Sequence, residues 1–449
     1  MYKETNKRSI VKGNGLRAQL LRGGIGSLAV RMFNSLIVFA LTVLLARTMG
    51  AEGFGVYSFS LAVILLLAIP SQVGIPELLV RETAKAQANK DWPLLRGLWR
   101  WGNLAVFSFS FLSLLLAMMV IFFIVGGEDS QRIEVIVIGL VLIPLMALGN
   151  VRSACMRGLR RMVLGQLPDS VVRPGILLLL VFITSLYFTD STLIEPRLVI
   201  TLYVLASFIA LLLSSIMLKK TRPIELKRVF LPRYESHVWW KAVLPLALIS
   251  GLQLVNSYAD IIVLGLFHDG TEVGIYRAVI QLSLLVSFGL QAINQVLHPH
   301  FSRLYVLEDY KKLQKLVTVS ARVILLLSLP PVLLFIVYGE EVLSFLFGNL
   351  FYAGGIALAI LALGQLVNTS MGSVGALLNM TGHERYTVRG VAVAAIINVI
   401  LNFLLIPTYG MEGAAIATAV SMVIWNLLLR YYVRQKLGIE SSGLLVRLK

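Results

Sequence analysis

The chain has 449 residues, 57% of them apolar and only 14% charged, and its 40 Lys and Arg outnumber 23 Asp and Glu to give a formal net charge of +17. An ordinary globular protein carries about 25% charged residues, and a soluble chain cannot hide this much apolar surface behind so few charges. Water-soluble enzymes, disulfide-stapled secreted scaffolds and disordered binders are therefore excluded, and the unit to count is the membrane-spanning segment.

A helix needs about 20 mostly apolar residues to cross a bilayer core. The first such run extends from about Ile25 to Ala46 and carries Arg31. The second, 53–76, is uncharged and should bend at Pro70 and Pro76. Residues 101–127 carry no charge and form the third; 135–151 and 174–189 are the fourth and fifth, and uncharged 198–218 the sixth. The runs 242–259, 278–302 and 323–339 follow. The stretch 342–382 is long enough for one span with a re-entrant or loop approach, and 390–411 and 413–429 complete the set. The expectation is an all-α integral membrane protein of about 12 transmembrane helices, centred near 36, 67, 114, 143, 177, 207, 251, 286, 329, 364, 398 and 421. Barrel strands alternate over about 10 residues, whereas these runs are longer and continuously apolar. The first span has no convincing small-residue cleavage site and is read as retained.

The basic residues fix the orientation. The segments 1–24, 80–100, 152–165, 218–241, 300–322, 379–390 and 430–449 hold 34 of the 40 Lys and Arg, and all seven lie on one side of a twelve-helix topology. The opposite connections carry acids: Glu52, Glu128-Asp129, Asp190, Glu195, Asp269, Glu272, Glu340-Glu341 and Glu412. Positive-inside bias puts both termini in the cytoplasm of a bacterial or archaeal cell, in the inner membrane if the cell is Gram-negative. The basic face should attract anionic membrane lipids. It is not read as a nucleic-acid surface, because no zinc-finger spacing or aromatic-and-basic strand motif accompanies it.

The chain echoes itself. Glu52-Gly53-Phe54-Gly55-Val56-Tyr57 recurs as Glu272-Val273-Gly274-Ile275-Tyr276, with Gly-apolar-Tyr offset by 219. Gly158-Leu159-Arg160-Arg161 matches Gly382-His383-Glu384-Arg385 at an offset of 224. Two six-helix halves that both enter from the cytoplasm make parallel repeats related by an axis along the membrane normal. The expected division is a basic N-terminal segment 1–24, a first lobe 25–217, a basic connection 218–241, a second lobe 242–433 and a cytoplasmic tail 434–449, with a central cavity between the lobes.

An ionised side chain at the bilayer centre costs about 2.5–3.5 kcal/mol on the insertion scale, so charges inside spans need a partner, a wet cavity or a task. Arg31, Arg173 and Arg277 are the candidates for binding an anionic substrate, because the planar guanidinium fork suits phosphate. The bland alternatives are snorkelling for Arg31 and Arg277, and an i,i+4 ion pair with Asp169 for Arg173. Gln253, Asn256 and Asp260 fall three and four apart on one helical face. With Gln281 they are expected as polar cavity residues or charge partners, Asp260 for Arg277.

Cys155 is the only cysteine, and of five histidines only His298 and His300 are close in sequence, at a spacing that does not share a helix face. No metal site, no cofactor and no nucleotide-binding glycine loop are expected. No hydrophilic connection is long enough for a catalytic domain, so the chain is read as a transporter rather than an enzyme.

Leu44-Leu45-Ala46-Arg47 leading into Gly53-Phe54-Gly55-Val56-Tyr57-Ser58, then Gly274-Ile275-Tyr276-Arg277, Gly382-His383-Glu384-Arg385 and the stretch Asn398 to Gly413 with Pro407, Tyr409 and Gly410 give the chain a family likeness. It resembles the polysaccharide-exporter branch of the multidrug/oligosaccharidyl-lipid/polysaccharide flippase superfamily, with the O-antigen-type flippases among its members. The resemblance implies two six-helix lobes, an alternating-access cycle and a polyprenyl-diphosphate-linked oligosaccharide as cargo, with Arg31 and Arg277 facing the cavity. It also implies a place in cell-surface polysaccharide or lipopolysaccharide synthesis beside glycan polymerase or ligase machinery. The chain lacks the two extra C-terminal helices of the lipid II branch, which favours an O-antigen-type or exopolysaccharide cargo. Two other readings stay open: a cation-coupled drug or small-solute exporter of the same superfamily, and a non-transporting membrane enzyme or scaffold of glycan assembly.

Overall fold

The structure, a computed structural model, describes residues 7–72, 74–124, 130–187, 194–227 and 231–442. Among them the regular structure is helical and contains no strand. Lipid offers the backbone no hydrogen-bond partner, so each N–H and C=O of a spanning segment must be satisfied inside its own helix.

Ten stretches are long and apolar enough to cross a membrane, counting Gly270–Ser283 and Phe288–Val306, bent by 45°, as one. Two of the ten are too long for one crossing. Gly26–Leu67 has 42 residues and Glu384–Leu437 has 54, lengths of about 63 and 81 Å against a core of about 30 Å. Each turns back at a glycine with positive φ, Gly50 (φ 70°, ψ 178°) and Gly410 (φ 50°, ψ −130°). The second reversal is shown directly by Asn398, whose Nδ2 donates to Thr418 Oγ1 at 3.3 Å; in a straight helix those residues would lie about 30 Å apart.

The chain is thus a multi-pass membrane protein, with twelve spans among the described residues, as expected. They are span 1 (26–49), span 2 (51–88), span 3 (92–124), span 4 (130–158), span 5 (162–187), span 6 (196–221), span 7 (236–267), span 8 (270–306), span 9 (310–347), span 10 (349–380), span 11 (384–409) and span 12 (411–437). Span 2 is interrupted between Ile69–Gln72 and Ile75–Ala88, beside Pro70 and Pro76, and span 5 widens into a π-turn over Pro168–Val172. The apolar stretch 342–382 divides into the end of span 9, a 3₁₀ turn over Asn349–Gly354, and span 10.

The internal repeat is visible in the turns. At the basic end four tight turns each contain one residue with positive φ: Lys90, Arg160, Glu308 and Gly382. Lys90 and Glu308 are 218 residues apart, and Arg160 and Gly382 are 222 apart, close to the offsets of the sequence echoes. Spans 1–6 and 7–12 form two lobes of the same topology.

At the acidic end the lobes are sealed together. A Cβ on Gly55 would lie 1.6 Å from the Gly270 carbonyl oxygen, and one on Gly274 would lie 2.0 Å from that of Ala51. Ala51 and Gly270 are themselves 219 apart, so the contact is reciprocal and sits on the pseudo-twofold axis. Arg47 Nε donates to the Leu346 carbonyl at 2.8 Å, with Nη2 on that of Phe345. Arg132 donates to the Gly265 carbonyl at 2.8 Å while lying over the Phe59 ring.

At the basic end one side of the molecule is closed and the other is not sealed in this way. The first turns of span 7 pack on the first lobe, where Trp239 meets Trp101 at 5.2 Å and Val243 joins Ile75, Leu78 and Leu98. The connection 218–241 is helical at both ends, since span 6 runs to Thr221 and span 7 starts at Ser236. It is tied to the 2–3 turn by Arg233, which reaches Asp91 Oδ2 at 2.6 Å. Residues 228–230 lie outside the described residues. On the opposite side span 1 exposes Met32, Phe33 and Leu36, and span 8 exposes Leu284, Leu285 and Val296. Past Leu437 the chain folds back rather than hanging free. Gln314 and Glu440 exchange hydrogen bonds at 2.7 and 2.9 Å, and Glu440 accepts from Arg430 at 2.8 Å. The N-terminal residues 1–6, the acids Glu128, Asp129 and Asp190, and residues 443–449 lie outside the described residues.

Candidate functional site

Seven residues into span 8, about 10 Å below the sealed end at 1.5 Å per residue, Arg277 is half-buried. Two tyrosines from two other spans lie near it, and a third lies near both of them. Tyr57 of span 2 and Tyr258 of span 7 are within electrostatic reach of Arg277, and both are within reach of Tyr203 of span 6. Among the described residues Arg277 makes no ion pair and no hydrogen bond. A guanidinium with free donors among phenol rings, at a depth where charge is expensive, suits an anionic oxygen that arrives from elsewhere.

Arg173 is placed differently. It is buried, paired with Asp169 one turn earlier across the π-turn, and hydrogen-bonded to Tyr203. Two of its neighbours therefore already answer its charge and donors. Tyr203 links this ion pair to the Arg277 cluster.

Asp260 is 4% exposed. Its Oδ2 accepts from Tyr276 Oη at 3.0 Å and its Oδ1 from the Ile261 N–H at 2.9 Å. Arg277 is in electrostatic range but forms no ion pair with it among the described residues. Tyr276 in turn receives a hydrogen bond from Thr418, and Asn398 donates to both Thr418 and Ser421. Asn402 donates to Asn398 at 3.1 Å, leaving its own buried Oδ1 without a partner. A polar chain thus runs from Asp260 into the interior of the second lobe. A buried carboxylate without a paired cation is stabilised either by a proton or by an added positive charge. Asp260→Asn keeps one acceptor oxygen for the Ile261 N–H and presents an NH2 that can donate to Tyr276 Oη while removing the charge, so its thermal unfolding midpoint should hold or rise. Asp260→Leu strips both acceptors, should lose about 1–3 kcal/mol, and should melt earlier in scanning fluorimetry.

The other candidates lie toward the basic end. Arg31 is exposed, makes no ion pair among the described residues, and lies within electrostatic range of His298 on span 8. It precedes Gly50 by 19 residues, about 28 Å along span 1. Arg31 and Arg277 therefore differ in depth by about 18 Å. Gln253 lines a small cavity of about 190 Å³ with Asn379, Glu384 and Thr387. Asn256 has a buried Oδ1 without a partner, and Gln281 is half-buried. The structure thus divides the expected set into an aromatic and cationic cluster at the sealed end and an open polar region at the basic end. A larger cavity, about 660 Å³, lies between spans 2, 3 and 7 against Ile69, Pro70, Phe109, Leu244 and Val255. Its lining is wholly apolar and offers nothing to a charged group.

Sequence reasoning that ranks charges misses the tyrosines. Tyr57 stands out in the sequence only as part of a repeat, Tyr203 sits in an uncharged apolar run, and Tyr258 is overshadowed by Gln253, Asn256 and Asp260 beside it. Asn398 and Asn402, one turn apart, carried a usable signal: two amides on one face of a membrane helix need partners.

A family model described as polysaccharide biosynthesis protein matches residues 20–305, more than half of the chain. The chain belongs to that family. A probable low-salt glycan biosynthesis flippase, Agl15, of Haloferax volcanii is 22% identical over 153 residues, which are 34% of this chain and 32% of the relative. The chain thus matches about a third of that curated relative's length. Two solved structures share the fold. An inward-facing multidrug resistance MATE family transporter of the MOP superfamily superposes with a TM-score of 0.73 at 13% identity, over 92% of this chain and 98% of the other. The lipid II flippase MurJ, in an inward closed conformation, gives 0.72 at 14% identity, over 91% and 87%.

Proposed function

We propose that this member of the polysaccharide biosynthesis family is a flippase, not an enzyme, that carries a polyprenyl-diphosphate-linked oligosaccharide from the cytoplasmic to the outer leaflet of the cell membrane. The observation that carries the reading is Arg277, a guanidinium with unused donors beside a cluster of tyrosines, at the closed end of an interlobe space whose other end bears Arg31. The names of the flippase relatives and of the lipid II flippase support the cargo class.

The basic ends of the spans face the cytoplasm in this reading, with both termini there, and the described arrangement is open inward. Arg31, exposed near the mouth, meets the diphosphate first. The two arginines differ in depth by too much for one diphosphate to bridge, so Arg277 takes it second. Arg173 acts through Tyr203, and Gln253, Asn256 and Gln281 offer neutral hydrogen bonds to sugars. The isoprenoid tail stays in lipid beside the exposed apolar faces of spans 1 and 8. Rocking of the lobes about the Gly55–Gly274 crossing then exposes the headgroup to the other side. An O-antigen-type or other surface-polysaccharide repeat unit fits the chain best.

The direct test is mass spectrometry of lipid-linked intermediates in cells depleted of the protein, read beside surface glycan. A polyprenyl-diphosphate oligosaccharide should accumulate on the cytoplasmic leaflet while its glycan disappears from the surface. An unchanged lipid pool with intact glycan would point instead to export of a small solute, for which the MATE-like fold is equally suited.

A further inference from the structure

The turn between spans 7 and 8 carries a histidine and a carboxylate that this reading does not use. His268 Nδ1 lies 2.7 Å from Glu272 Oε2, and its Nε2 lies 2.8 Å from the Ile406 carbonyl oxygen. Glu272 Oε1 accepts the Met411 N–H at 2.6 Å. Ile406 and Met411 flank the reversal at Gly410, where the backbone of span 11 ends and that of span 12 begins. The break orphans a carbonyl on one helix and an amide on the next. The imidazole answers the carbonyl end and the carboxylate answers the amide end, each on the side that the helix dipole favours. There is no room for anything else: a Cβ on Gly410 would lie 1.9 Å from Glu272 Oε1.

This geometry fixes a proton count. A carbonyl oxygen only accepts, so Nε2 must carry hydrogen. Nδ1 faces a carboxylate oxygen, so a second proton must lie between them, on the ring or on the acid. Without it two lone pairs would face each other at 2.7 Å, and one contact of the clamp would have to open. Both side chains are partly exposed, at 26% and 22%, so the proton exchanges with the compartment at the acidic end.

We propose that His268 and Glu272 form a proton-binding site at the acidic end of the second lobe, and that the bound proton holds the hairpin of spans 11 and 12 on the 7–8 turn and so favours the sealed arrangement of the lobes. The link to the seal is covalent proximity: the turn continues into Gly270 and Gly274, the surface on which Gly55 of the first lobe lies. The charged and titratable groups on the surrounding elements are Asp269, Asp260, Tyr276 and Arg277 on spans 7 and 8, Arg132 on span 4, Arg47 and Glu52 on spans 1 and 2, Glu340, Glu341 and Tyr352 around the 9–10 turn, and Tyr409 and Glu412 on the hairpin. Arg47 is held by the Leu346 and Phe345 carbonyls and Arg132 by that of Gly265. Arg277 lies deeper, beside the tyrosines, and the other charges are carboxylates, which attract an added proton. The clamp stabilises the seal while its proton is bound and stops doing so when the proton leaves. Only the consequence for cargo movement rests on the flippase reading; the proton site itself does not.

The test uses the full chain in lipid nanodiscs, with Cys155 replaced by alanine and spin labels on Tyr187→Cys and Leu350→Cys, exposed positions at the acidic end of the two lobes. Label distances are measured between about pH 5 and pH 8. The expected result is a single short distance at the acid limit and a second, longer population at the alkaline limit. In H268Q and E272Q that pH response should be lost. The ¹⁵N imidazole signals of His268 and the carboxyl ¹³C signal of Glu272, obtained by site-selective labelling, should show hydrogen on Nε2 and a second proton either on Nδ1 or on the carboxyl at the acid limit in the unsubstituted chain. A neutral imidazole beside an ionised Glu272 carboxylate there, or a label response that survives in both variants, would overturn the proposal, and the spectrum of the unsubstituted chain decides even if a variant fails to fold. No cargo is present, so loss of flipping and loss of the proton response remain separate results.

Discussion

Arg277→Gln is expected to reduce movement of the lipid-linked cargo by about 10- to 150-fold while leaving the protein folded and inserted. The magnitude follows from a hydrogen bond to a charged group, worth about 1.5–3 kcal/mol. Among the described residues this side chain makes no ion pair or hydrogen bond, so its loss removes only longer-range attraction to Asp260 and the neighbouring tyrosines. Its removal takes a charge out of the membrane and so makes insertion easier. Arg277→Lys should restore part of the activity, because the charge returns without the planar fork. Arg31→Gln should also reduce export, but through entry: it should raise the cargo concentration needed for half-maximal rate more than it lowers the limiting rate. The measurements are lipid-linked intermediates and surface glycan in cells, at protein levels matched by immunoblot. Normal export by both glutamine variants would remove the arginines from the mechanism.

The two arginines were legible in the sequence because charge in an apolar run is rare and costly. The count of twelve was legible for the same reason, reinforced by the alternation of basic and acidic connections. What the sequence could not deliver was partnership. Arg173 and Arg277 look alike as letters, yet one is buried against Asp169 and Tyr203 and the other is left with free donors. Asp260 reads as the natural counter-ion of Arg277, and the fold instead turns it toward Tyr276 and the amides of span 11. Which of two neighbours a side chain meets depends on the rotation of each helix about its axis. Tertiary packing sets that rotation, and a uniformly apolar span leaves few marks of it. Residues 236–243 show the same limit at domain scale. They begin span 7 of the second lobe, yet Trp239 and Val243 are buried in the first.

Gly55→Val should produce the larger conformational effect. The new side chain would meet backbone, the Gly270 carbonyl at 1.6 Å and its carbon at 2.6 Å, and backbone cannot swing aside as a flexible side chain can. Overpacking of this kind costs about 1–3 kcal/mol or more, which corresponds to a shift of about 5- to 150-fold in the ratio of sealed to open molecules. The strain vanishes once the acidic ends separate, so the substitution should act on the balance between states more than on the stability of either lobe. Gly274→Val should act in the same direction, because its Cβ meets the Ala51 carbonyl at 2.0 Å in the reciprocal half of the same contact. The symmetry gives a sharper expectation. When either valine has already parted the lobes, the second adds little, and the double variant should fall well short of the sum of the singles. Label distances across the acidic end report this directly, and flipping should fall in all three proteins because the arrangement sealed at the acidic end is no longer favoured. Additive effects, or distances that do not change, would mean that the glycine crossing is not where the lobes are held.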